Sequence, residues 1–206
     1  MIDYRSRFKS CGKNVEIAPD AHFEHPEVVE VGDNVRFMQG FYLGMGKPAL
    51  VKIGSDCLFY PNCFFQGSAG RFIIENNVDF FPNTYISLGD AKSFVEIGHH
   101  THFAPMCVLY GWGGLKIGPY CNIAAHTVFA TIGHDPVRRA KPMCLEAPVA
   151  GPITLVEDVW TGANVTITAN VTLAKGTVIG ANAVVTKDTE PYGLYVGVPA
   201  RKLRDR

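Results

Sequence analysis

The chain has 206 residues, and its 19 Lys and Arg balance its 19 Asp and Glu, so no charge excess attracts nucleic acid or an anionic membrane. With 47% hydrophobic and 18% charged residues it can build a core, which excludes disorder throughout and, at ~150 residues per domain, favours one domain. The opening MIDYRSRFKS holds no apolar run and no later stretch nears ~18 apolar residues, so no transmembrane segment is expected and the cytoplasm is the expected compartment.

Residues 1–14 read as a lead-in to a repeat. From there an apolar residue recurs at six-residue spacing in successive triplets: Val31, Phe37, Leu43; Ile53, Phe59, Phe65; Ile74, Phe80, Ile86; Ile97, Phe103, Leu109; and Ile117, Ile123, Phe129. The same phase returns over Leu155, Thr161, Ile167, Leu173, Ile179 and Val185, with Thr161 the one non-aliphatic member. Four positions after each apolar residue stands a small or β-branched one, such as Val35, Cys57, Cys63, Thr84, Cys107 and Ala183, which suits a narrow interior. Three positions after it stands Asn, Asp or Gly, as in Asn34, Gly40, Asp56, Asn62, Asn164, Asn182 and Asp188. These residues tolerate a left-handed backbone, so a corner is predicted at each.

Short strands joined by regular corners, three to a circuit, stack coil on coil and bury a column that no single coil could bury alone. The expected fold is all-β: a parallel β-helix of triangular section with about seven to eight coils over residues 15–190, then a C-terminal cap over 191–206. Successive coils begin at residues 31, 53, 74, 97 and 117, but the next begins at 155. The excess forms one long loop over about 133–152, and long ordered loops on rigid scaffolds tend to carry function.

Of the six cysteines, Cys57, Cys63, Cys107 and Cys121 occupy the small interior position and read as core filler. Cys11 and Cys144 show no paired spacing, so no disulfide is expected. Among the seven histidines, His100 and His126 fall at corners, and His99 and His102 at outward positions of one coil. His134 differs, because it stands where the chain leaves its coil for the loop, in Thr131-Ile132-Gly133-His134-Asp135-Pro136.

The string Ile123-Ala124-Ala125 through Gly133-His134-Asp135-Pro136, followed by Val159-Trp160-Thr161-Gly162, Val184-Val185-Thr186-Lys187-Asp188 and Gly197-Val198-Pro199-Ala200-Arg201, resembles the hexapeptide-repeat acyltransferases. Within them it is similar to the galactoside, maltose and polysaccharide O-acetyltransferases, over roughly residues 15–200. The resemblance implies a left-handed β-helix, although the usual crossover preference is right-handed. It implies acetyl-CoA, or another acyl-CoA, as co-substrate, a saccharide acceptor, and a homotrimer with active sites between subunits.

By the same resemblance His134 is the general base, an imidazole being suited to take a proton near neutral pH. Trp160 is expected to pack beside it, and a backbone N–H near Gly162 or Ala163 to face the oxyanion. Ala163 and Ala181 would meet the pantetheine arm, Thr186 and Lys187 its far end, and Arg201 and Arg204 the nucleotide phosphates, in keeping with the basic run Arg201, Lys202, Arg204 and Arg206. No metal is expected, since no two histidines have the five-residue spacing of the zinc-binding β-helical carbonic anhydrases. The family's acceptor-binding Asn is missing from Phe103-Ala104-Pro105-Met106-Cys107, so His102, Met106 and Trp112 are the candidates to shape the acceptor site. N-acylation of an amino-sugar nucleotide, acetylation of an antibiotic, and a non-catalytic structural β-helix stay open beside O-acylation of a saccharide.

Overall fold

A computed structural model describes residues 3–206. Three parallel sheets run the length of the molecule and meet at the corners of a triangular prism, the section of a left-handed parallel β-helix. The first face holds eight strands, from Ser10–Cys11 to Val171–Leu173, and the third holds eight, from His22–Phe23 to Val184–Val185. The second face starts at Glu16–Ile17 and reaches Val178–Ile179 before two closing strands are added. Eight coils result, the first formed by Ser10–Cys11 within the stretch expected to be a lead-in; Tyr4 and Phe8 are buried against its end.

The six-residue period works because strands of two to five residues alternate inward and outward side chains between corners, one inward residue recurring in each. Phe37, Phe59, Phe80 and Phe103, in register on the second face, are each buried to within 2% and stack at 4.8, 5.3 and 5.0 Å between centroids. The small interior positions Val35, Cys57, Cys63, Val78, Thr84, Thr101, Cys107 and Thr127 are fully buried beside them.

Asn34, Asp56, Asn62, Asn77, Asn83, Asn164 and Asn182 all have φ between 54° and 63°, as do His100 and His126. Two further corners are taken by Met106 (φ 63°) and Tyr120 (φ 60°), residues that carry no turn signal of their own. Asp188, expected to form a corner, does not have positive φ: no further coil follows, and its carboxylate instead accepts the Thr172 N–H at 2.7 Å. The chain then adds Gly193–Val196 to the second face and turns back through the antiparallel strand Arg201–Asp205, which covers the open edge.

Burial pushes the thiol of Cys63 up to about 12 and those of Cys57, Cys107 and Cys121 to about 11. A thiol-reactive disulfide reagent at pH 8 should therefore label exposed Cys144 at once and these four only after unfolding. Because the native thiols hold their protons while unfolded ones release theirs, the associated stability is complete below the ordinary thiol pKa of ~8.5 and is lost as pH rises from there toward 11. Labelling of the four in native protein at the rate of Cys144 would overturn this.

Candidate active site

The long loop replaces the connection from the third face back to the first. Its stem is built on Thr131, whose fully buried hydroxyl donates to the Tyr110 carbonyl at 2.7 Å and accepts the Gly113 N–H at 3.3 Å, while its carbonyl accepts the Gly151 N–H at 2.9 Å. Gly113 and Gly151 approach so closely that a side chain at 113 would collide with the Gly151 backbone, which explains a glycine there. Above this anchor Ile132–Gly133 pairs antiparallel with Val149–Ala150, and the chain between is solvent-exposed along nearly its whole length, including one short helical turn at Met143–Leu145.

His134 is the first residue beyond that pair. It is exposed, makes no hydrogen bond among the described residues, and lines a cleft of about 480 Å³ between the loop stem and the outer side of the third face. The opposite wall is Gln66, Tyr85 and Ser87 with Tyr110 and Trp112, on three successive coils. Gln66 Nε2 donates to the Tyr85 hydroxyl at 2.6 Å, and Trp112 Nε1 donates to Ser87 Oγ at 3.3 Å. Asp135 is occupied by its own turn, accepting the Val137 N–H at 2.9 Å and pairing with Arg138 at 3.4 Å, so it does not orient the imidazole.

Of the expected acceptor residues, the structure brings only Trp112 to His134. His102 lies on the second face with Nδ1 2.9 Å from the Asp79 carboxylate, and Met106 sits at the corner between the second and third faces. Trp160 also lies elsewhere: it is 52% exposed on the second face, in a hollow with Tyr120, Asn122 and Arg206. The expected packing of Trp160 beside His134 does not occur within one chain, because two different faces carry them. Nor does Gly162 offer the expected donor. Its N–H donates to the Ile179 carbonyl at 2.7 Å as part of the coil ladder, so it is not free for an oxyanion.

Of the remaining expected positions, Gly162, Ala163 and Ala181 lie at the corner between the second and third faces, whereas Thr186 and Lys187 follow Val184–Val185 at the other edge of the third face. Gly162 stacks on Ala181 so tightly that a Cβ at 162 would lie 2.6 Å from the Ala181 nitrogen, and the Asn182 N–H donates to the Ala163 carbonyl at 2.9 Å. The exposed Thr186 and Lys187 follow, and Lys187, Arg201 and Lys202 line one depression of about 220 Å³. Lys202 is bound by Asp205 at 2.8 Å and Glu190 at 2.5 Å, which push its pKa up, and Arg206 pairs with Asp158 at 2.7 Å. Lys187 and Arg201 make no ion pair among the described residues. Arg204 is on the same closing strand but outside the depression. No group of three or more metal-ligating side chains occurs among the described residues.

Gln66, Tyr85 and Ser87 escaped the sequence reading. The one available signal was that they flank the inward residues Phe65 and Ile86 in coils preceding Tyr110, and so must point outward on the face from which the loop departs.

Residues 152–187 match the family model described as bacterial transferase hexapeptide, six repeats. A protein of Lysinibacillus sphaericus described as a probable macrolide acetyltransferase is 38% identical over 131 residues, covering 56% of this chain and 69% of that protein. The chain belongs to the hexapeptide-repeat acyltransferases. Another family member, the galactoside O-acetyltransferase of Escherichia coli strain K12, is 32% identical over 77% of this chain and 66% of its own length. The chain spans 62% to 69% of the length of three of the curated relatives it matches and 28% to 55% of others. Among solved structures, the S84T mutant of AntD, an N-acyltransferase from Bacillus cereus in complex with dTDP and coenzyme A, superposes with a TM-score of 0.55 at 23% identity, covering 98% of this chain and 86% of that one. At that identity the likeness is one of fold.

Proposed function

We propose that this hexapeptide-repeat acyltransferase moves an acetyl or other short acyl group from coenzyme A to a hydroxyl of a saccharide, with His134 as general base. The observation that carries the reading is the placement of His134, alone and unpaired, at the rim of an aromatic and hydroxyl-lined cleft. Coenzyme A supplies the activated thioester. A nitrogen of His134 takes the proton of the acceptor hydroxyl as its oxygen attacks the acyl carbon, and the same proton later passes to the departing sulfur. The Ala163 N–H, which has no backbone partner among the described residues, replaces that of Gly162 as the candidate oxyanion donor. Lys187 and Arg201 would take phosphate groups of the nucleotide, and Ala163, Ala181 and Thr186 the path of the pantetheine arm.

His134 leaves the third face at its edge toward the first face, whereas Ala163 and Ala181 lie at its opposite edge. A complete site therefore needs the loop of one copy against the corner of another, which supports a closed homotrimer with three equivalent sites. No helix among the described residues is long and apolar enough to cross a membrane, and we place the reaction in the cytoplasm, where acyl-coenzyme A is available.

The test is the thermal unfolding midpoint with and without coenzyme A, which needs no acceptor. Ligand at ~100 times its Kd adds ~2.7 kcal/mol of stability, a rise of several degrees. The rise should vanish in the double variant Lys187→Ala with Arg201→Ala, and no rise at millimolar coenzyme A would remove the reading.

A further inference from the structure

The cleft beside His134 also selects the charge class of the molecule that enters it. Trp112 is held as a platform from two sides. A side chain at residue 89 would collide with Cδ2, Cε3 and Cζ3 of its indole, so the ring rests directly on the Gly89 backbone, and Nε1 is tied to Ser87 Oγ at 3.3 Å. The side chain is nevertheless 41% exposed, in a cleft that also holds His134. An indole fixed in orientation with open surface suits the apolar C–H face of a pyranose ring.

Apart from His134, the polar side chains around it are hydroxyls and an amide, which carry no charge. Ser87 Oγ accepts from Trp112 and keeps its own proton to donate. The Tyr85 oxygen accepts from Gln66 Nε2 and likewise keeps its proton, while Gln66 Oε1 remains an acceptor. Among the described residues of this chain, no Asp, Glu, Lys or Arg lines the cleft. Sugar hydroxyls, each both donor and acceptor, match this set. The diphosphate of a nucleotide-linked sugar finds no Lys or Arg side chain of this chain and no helix N-terminus there to offset its desolvation.

We propose that Trp112 is the stacking platform for an uncharged pyranose, with Ser87, Tyr85 and Gln66 binding its hydroxyls, and that nucleotide-linked sugars are not accepted. Calling the bound sugar the acceptor rests on the acyl-transfer reading; its binding is measurable without any acyl group.

In Trp160→Phe, which alters an exposed position, Trp112 is the single remaining tryptophan and its fluorescence reports the cleft. Methyl α-glucopyranoside, methyl β-galactopyranoside and maltose are titrated against UDP-glucose. The expected result is a saturable change with at least one uncharged glycoside, an affinity about tenfold weaker after Ser87→Ala or Tyr85→Phe, and no response to UDP-glucose at equal concentration. Absence of a response to all three glycosides, tighter binding of UDP-glucose, or unchanged affinity in both variants would overturn the proposal. Coenzyme A stabilisation measured separately on the unaltered chain keeps the two claims apart. If it persists while the sugars fail, this inference alone falls; if it is absent while sugars bind, acyl transfer alone falls.

Discussion

Replacing His134 with Ala lowers acyl transfer by about 10²–10⁴-fold, the usual contribution of a positioned general base, and leaves the fold intact. The second half of that expectation follows from the side chain's surroundings: it is exposed on the loop and makes no hydrogen bond among the described residues, so its removal opens no cavity and orphans no partner there. Coenzyme A, which would bind at the opposite edge of the third face and around Lys187 and Arg201, should stabilise the variant as it does the parent chain. The measurement is initial rate with saturating acceptor, together with the unfolding midpoint and its coenzyme A shift. A rate within a few-fold of the parent's, at unchanged midpoint, would show that another group takes the proton.

The largest effect on stability is expected at Phe80→Ala. Phe80 is fully buried at the middle of the second-face column, stacked on Phe59 at 5.3 Å and Phe103 at 5.0 Å, with Phe65 edge-on at 5.1 Å. Truncation removes the packing of three rings at once and leaves a void that the hydrogen-bonded coils above and below cannot close, so the cost is ~3–5 kcal/mol. Coils interact almost entirely with their neighbours, so the loss falls where the lower and upper halves of the solenoid are joined. Phe64→Ala is the control. It lies outward on the third face, 38% exposed and stacked on Tyr42 at 4.3 Å, and its loss should cost about 1 kcal/mol or less. Denaturant midpoints by circular dichroism compare the two, and equal destabilisation would contradict a core organised around the stacked column.

The sequence by itself determined the coil. An inward apolar residue every six positions, with a small residue four beyond and Asn, Asp or Gly three beyond, admits one economical arrangement, because strands this short bury a side chain only by stacking on the next coil. The interruption after Phe129 likewise marked the loop, and Gly133-His134-Asp135-Pro136 marked its first residues, since the break in periodicity is local in the chain.

Tertiary structure decided what depends on stacking between coils. Met106 and Tyr120 adopt the left-handed corner because coils above and below impose it, against their own preference. Nothing local in the sequence marks the Gly162 N–H as engaged; the Ile179 carbonyl of the neighbouring coil accepts it. Trp160 and His134, close in the family's motif order, lie on different faces because each corner turns the chain through part of a triangle. The wall of Gln66, Tyr85, Ser87 and Trp112 comes from coils up to 68 residues before His134, brought beside it only by parallel register on the third face. No local periodicity records that proximity: outward residues are unconstrained by the core, and only the stacking of coils sets which of them meet.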